Sequence, residues 1–141
     1  MRRMVLIAAG LCMVAAAASP LRGETADTLK RLNAILASSC ANSPVLQLSA
    51  DGTVIRKDAG GGTMTFKLAD IGSMTIDTDS EAHVLLMCKA GARCIERVET
   101  PGATAASMKL LAFSINSLEL GDSVLHLFQE LQASMTGTVK K

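Results

Sequence analysis

Asp77, Thr78, Asp79, Ser80 and Glu81 place three carboxylates at alternate positions, the way a loop gathers oxygens for a hard cation such as calcium. A helix-loop-helix calcium site also needs glycine at its sixth place and a bidentate glutamate at its twelfth. This chain has Ala82 and Cys88 there, so Asp77, Asp79 and Glu81 are a weak metal candidate against the usual meaning of such a run, a solvated acidic turn. His83 and His126 are the only histidines, and neither has a third ligand spaced for zinc. Met64, Met74, Met87 and Met108 are of the type that binds Cu(I), but they sit singly in alternating runs, the pattern of core packing. Gly60, Gly61 and Gly62 lack the Gly-Lys-Ser/Thr of a phosphate loop and join two strands. Ser, His and Asp are scattered with no strained-turn signature for a nucleophile. No catalytic residue and no cofactor is expected.

The remaining reactive type is cysteine, at 12, 40, 88 and 94. Cys12 lies in an apolar run, 4–18, that follows Arg2 and Arg3 and ends on four alanines before Ser19 and Pro20. That is the layout of a secretory signal peptide over 1–18, with 19–141 as one globular domain. The run is short of the roughly 20 residues that span a bilayer, so no permanent membrane anchor is expected. Leu11 before Cys12 is too large for a lipidation site, and the arginine pair lacks the polar residue that precedes it in a twin-arginine leader. Losing the leader removes Arg2 and Arg3 and leaves 12 basic against 13 acidic side chains, a net charge of −1. Such a chain has no basic surface for DNA or anionic lipid.

Export to an oxidising, periplasmic compartment leaves Cys40, Cys88 and Cys94 to form one bridge. Cys88 and Cys94 bracket five residues between two apolar runs, so they are expected to bond across a hairpin, closing a short loop. Five intervening residues do not make the Cys-x-x-Cys of a redox site, and the bond reads as structural. Cys40 reads as a buried thiol.

The 141 residues are 49% hydrophobic and 19% charged, which fits one compact domain and excludes disorder. Aromatic content is 2%, with no Trp or Tyr, so base-stacking platforms and aromatic cages have no material. Neither a nucleic-acid reader nor a lectin is expected.

These residues must be held by elements whose period is legible. Over 24–40, Leu29, Leu32, Leu36 and Cys40 recur at helical spacing, with Thr25 or Asp27 as cap and Pro44 closing the segment. The period then becomes two. Residues 45–49 and 53–57 flank Asp51-Gly52, read as a type I′ turn that sets Leu48 and Ile55 on one face. Further strands are expected over 63–68, around Met74 and Ile76, over 83–88 and 94–98, and as one run over 108–115. Ser117 caps a last helix with Leu118, Val124, Leu125, Phe128, Leu131 and Met135 on its apolar face.

Seven antiparallel strands followed by one amphipathic helix, over about 45–135, resemble the pleckstrin-homology superfold. The likeness rests on that order, Asp51-Gly52 in the first hairpin, Phe66-x-Leu68-x-Asp70-Ile71 leading into a strand, and the capped last helix. It is similar to small secreted bacterial proteins of unknown role with a PH-like barrel. The expected fold is thus mainly β with flanking helices: a seven-stranded antiparallel barrel capped by the C-terminal helix, plus an N-terminal helix. The alternative is an α+β roll, cystatin-like or NTF2-like.

Phosphoinositide-binding members of the superfold carry several Lys and Arg around the first hairpin loop. Here Arg56, Lys57 and Lys67 lie along the strands and read as solvated. The resemblance implies a secreted, noncatalytic interaction module, whose open sheet edges and groove beside the last helix suit a protein or peptide partner. The alternatives are a small periplasmic enzyme or metal-handling protein, and a carrier of a small apolar ligand.

Overall fold

The helical spacing of Leu32 and Leu36, both fully buried, folds into α1, Gly23–Ser39, in the computed structural model, which describes residues 21–78 and 81–136. The leader expected over 1–18 lies outside the described residues. The α1 N-cap is Arg22 with no side-chain cap, not Thr25 or Asp27. Thr25 and Thr28 are instead buried, because they extend the Leu32 and Leu36 stripe by another turn toward the second helix.

Eight strands follow: β1 Val45–Leu48, β2 Thr53–Lys57, β3 Thr63–Lys67, β4 Ile71–Thr78, β5 Ala82–Cys88, β6 Ile95–Val98, β7 Ala106–Met108 and β8 Leu110–Ile115. Helix α2, Leu118–Thr136, closes the chain, with Ser117 Oγ accepting the Leu120 amide 3.3 Å away as its N-cap. All strand pairs are antiparallel, in one sheet of order β1-β2-β3-β6-β7 and another of order β4-β5-β8. The barrel is not closed. The run expected as one strand over 108–115 breaks at Lys109, where the chain leaves the larger sheet as β7 and enters the smaller as β8. Bends that pass a strand from sheet to sheet make the corners of two-sheet folds.

One register differs from expectation. Asp51-Gly52 is not a type I′ turn: the Gly52 amide donates to Ser49 O, and only Gly52 of the pair has a positive φ, 89°. A three-residue loop of this kind shifts the pairing by one. Leu48 therefore faces Val54, and Ile55 faces Gln47. The slip turns Val54 and Arg56 inward.

The core lies between the sheets and under the helices. Phe113 of β8 meets Phe128 of α2 with ring centroids 5.1 Å apart. Gly121 lets α2 approach β5, since a Cβ there would stand 2.6 Å from that of Ala82. Leu118, expected on the apolar face, is 59% exposed because it precedes the part of α2 that covers the sheet.

Cys88 and Cys94 are bonded, with Cα atoms 5.8 Å apart. The bond does not cross a hairpin: β5 pairs with β4 and β8, whereas β6 pairs with β3 and β7. The intervening loop turns the chain from one sheet to the other, so the disulfide ties the two sheets together at a corner.

Candidate functional site

Asp77 lies near the end of β4, opposite His83 of β5, and His83 Nδ1 is 3.0 Å from Ser114 Oγ. Glu81 is exposed just before β5, and Asp79 lies outside the described residues. Among the described residues no three His, Cys, Asp or Glu side chains are close enough to hold a metal ion. His126 sits on α2, far in sequence from that strand end, with Nδ1 2.9 Å from Asp122 O.

The sheet margins are more informative, because every free edge exposes amides and carbonyls that want a partner. On β1, Asn33 of α1 imitates a neighbouring strand: its Nδ2 donates to Leu46 O at 3.0 Å, and its Oδ1 accepts the Leu46 amide at 2.8 Å. On the outer margin of β8, Arg56 Nη1 donates to Ala112 O at 2.8 Å, the Ala41 amide to Ser114 O, and the Asn116 amide to Ser39 O. The third margin, β7, is only 3 residues long.

The fourth margin is β4, 8 residues long. The Cys88 amide bonds Lys109 O, which sets the alternation of β5: its even-numbered residues bond β8 and its odd-numbered residues bond β4. Ser73, Thr75 and Asp77 thus face β5, and Met74, Ile76 and Thr78 direct their amides and carbonyls away. Gln132 of α2 covers the start of the edge, donating to Leu68 O and Ile71 O at 2.8 and 2.9 Å. Beyond that point, no bond from another described residue reaches the outward groups of Met74 and Ile76.

Arg56, read from sequence as solvated, is 4% exposed. Its Nε donates to Asp58 Oδ1 at 2.8 Å, and its guanidinium carbon lies 4.5 Å from the centroid of Phe113. The ion pair, the Ala112 carbonyl and the ring together satisfy a charge that would be costly alone. Cys40, free and buried, lies beside this group; burial pushes its thiol up, and the Arg56 charge partly opposes the shift. Such a thiol is a poor nucleophile.

A trough runs between α1 and α2, which lie antiparallel with Thr25 Oγ1 3.0 Å from Ser134 Oγ. Its middle, about 440 Å³, has a mostly apolar surface formed by both helices, with Glu24, Thr25, Thr28, His126, Glu130 and Ala133 among its lining residues. The trough and the Asn33 clamp were not legible in the sequence; a polar residue in mid-helix and two threonines in an apolar stripe were the only traces.

The chain matches no family model, no curated protein and no solved structure.

Proposed function

We infer that this protein is a noncatalytic interaction module that captures an extended segment of a protein partner by strand addition to β4. The observation that carries this is the contrast among the edges: Asn33 bonds the outward groups of Leu46 on the 4-residue β1, Arg56 and the end of α1 bond the edge of β8, and among the described residues none bonds the outward amides and carbonyls of Met74 and Ile76 on the longer β4. Backbone pairing along such an edge gives affinity, and alternate side chains give specificity. A partner strand would set apolar side chains beside Met74 and Ile76, and a basic one suits the position beside Asp77.

The setting that fits is outside the cytoplasm, where the Cys88 to Cys94 bond persists and where the pattern over 1–18 would direct the chain. No helix of the described residues is long and apolar enough to cross a membrane. The pleckstrin-homology likeness enters as a proposal about architecture: two antiparallel sheets with a C-terminal helix are a scaffold of the kind that superfold uses to present edges and grooves.

The test is a photocrosslinking residue at Thr75, in the protein as its own cells produce it. Capture of a partner should survive Ile76→Ala and be lost in Ile76→Pro, because both variants remove the side-chain packing but only proline also removes the outward amide. Capture that persists in Ile76→Pro, or no capture at Thr75, would overturn strand addition.

A further inference from the structure

We propose that a second copy of this chain is an occupant of the β4 edge, two β4 strands pairing antiparallel about a two-fold axis at Thr75. The proposal rests on β4 being open to strand addition, and it adds which strand fits there. A strand that pairs with its own reverse must match itself in polarity when read in either direction. Residues 73–77 do so: Ser-Met-Thr-Ile-Asp is polar, apolar, polar, apolar, polar from both ends. Centred on Thr75, the pairing sets Met74 against the partner's Ile76 and Ile76 against the partner's Met74.

The backbone and the side chains both suit that register. Met74 and Ile76 direct their amides and carbonyls outward, so each of these pairs can exchange both of its hydrogen bonds. Thr75 meets its own copy in the position between them, with both side chains on the exposed face, and Thr beside Thr is a favourable cross-strand neighbour. Met74 and Ile76 pack against the core but are only half-buried. The mate's Ile76 and Met74 would cover apolar surface that the edge leaves open.

β4 also has a basic end and an acidic end. At its start Gly72 lies against Lys89, so closely that a Cβ on Gly72 would stand 3.0 Å from Lys89 Cα and Cγ. Asp77 near its far end and Glu81 in the following turn are exposed, as is Lys89. The two-fold lays one strand reversed on the other, which brings the partner's Asp77 opposite Ser73 and within side-chain reach of Lys89. Other axes lose these matches. An axis at Ile76 sets Met74 against the polar Thr78, one at Asp77 sets two carboxylates face to face, and one nearer the start meets Gln132, which already bonds Leu68 O and Ile71 O. Residues 73–77 are few beside the roughly 20 to 30 residues a side of a lasting interface. The pair therefore forms at high concentration and comes apart on dilution, leaving the monomer's edge open.

The test places cysteine at position 75 of the full processed protein and follows the disulfide-linked dimer formed with oxidised glutathione. Cys40 is buried and Cys88 is bonded to Cys94, so the introduced thiol is the exposed one among the described residues. In the pairing the two copies of residue 75 have Cα atoms about 4.5 Å apart, a span that a disulfide bridges. Thr75→Cys should therefore link to itself, and Ile76→Pro added to it should suppress the link by removing an outward amide. Ser73→Cys should not link to itself, because its two copies lie four residues apart along the ladder, roughly 14 Å. Mixed with Asp77→Cys, it should link to that variant. With Thr75→Cys, Lys89→Glu should slow linking about two- to fivefold, the scale of an exposed ion pair, and adding Asp77→Lys should restore it. Self-linking of Ser73→Cys as fast as that of Thr75→Cys, or linking that survives Ile76→Pro, would overturn the pairing. So would an unmodified protein that sediments as a monomer at every concentration up to about 1 mM. Capture of a different chain at Thr75 without self-linking would overturn only the second copy as occupant. Self-linking with no other chain captured would support the second copy and overturn β4 as a site for another protein.

Discussion

Asp51 accepts hydrogen bonds from the Ser49 hydroxyl at 2.6 Å and the Thr53 amide at 3.0 Å, and these hold its carboxyl down from 3.8 to about 2. The folded state favours the charged form, so the contribution is complete above the unfolded value near 3.8 and is lost as pH falls through about 2. An NMR titration of the Asp51 carboxyl should have its midpoint near 2, and Ser49→Ala should raise it; a wild-type midpoint near the unfolded value would show that the turn does not hold this geometry. Arg56 is a different kind of residue, a charge kept inside by Asp58, Phe113 and a carbonyl of the opposite sheet. Arg56→Ala strands the Asp58 carboxylate and the Ala112 carbonyl, and should cost about 3 to 5 kcal/mol in urea unfolding. A loss below about 1 kcal/mol would mean that water solvates the site freely.

At the scale of elements, the sequence patterns located most strands and both helices, because a period of two or of 3.6 is a local property. Registers and pairings were less legible. The dipeptide Asp51-Gly52 suits more than one loop, and one residue of slip decided whether Ile55 or Arg56 faced the core. The segment around Cys88 and Cys94 looked like a hairpin because two apolar runs flank a short loop; which strands each run joins is settled by β3, β4, β7 and β8, distant in the chain. The Asn33 clamp was equally hidden, since a helix residue that completes a strand 13 positions away leaves no periodic trace. Asn33→Ala should leave the Leu46 amide and carbonyl unpaired and cost about 1 to 3 kcal/mol. It should also promote concentration-dependent association through β1, read by analytical ultracentrifugation. A variant that stayed monomeric and fully stable would show that Asn33 does not guard this edge.

For the molecule as a whole, two antiparallel sheets meet at corners, and helices cover the side where Phe113 and Phe128 meet. The disulfide lies at one corner, so its removal should loosen sheet against sheet. Cys88→Ala with Cys94→Ala should lower stability by about 2 kcal/mol, as expected for a loop this short, without changing capture at β4. A loss of capture would give the bond a part in binding. The central claim is that three margins of these sheets are sealed or short and the fourth, β4, is left for a partner. It is tested most directly by amide hydrogen exchange residue by residue along β4. In the free protein the Thr75 and Asp77 amides should be protected by β5 while those of Met74 and Ile76 exchange freely, and addition of the captured partner should protect Met74 and Ile76. Protection of Met74 and Ile76 in the free monomer, or their unchanged exchange in the complex, would contradict it.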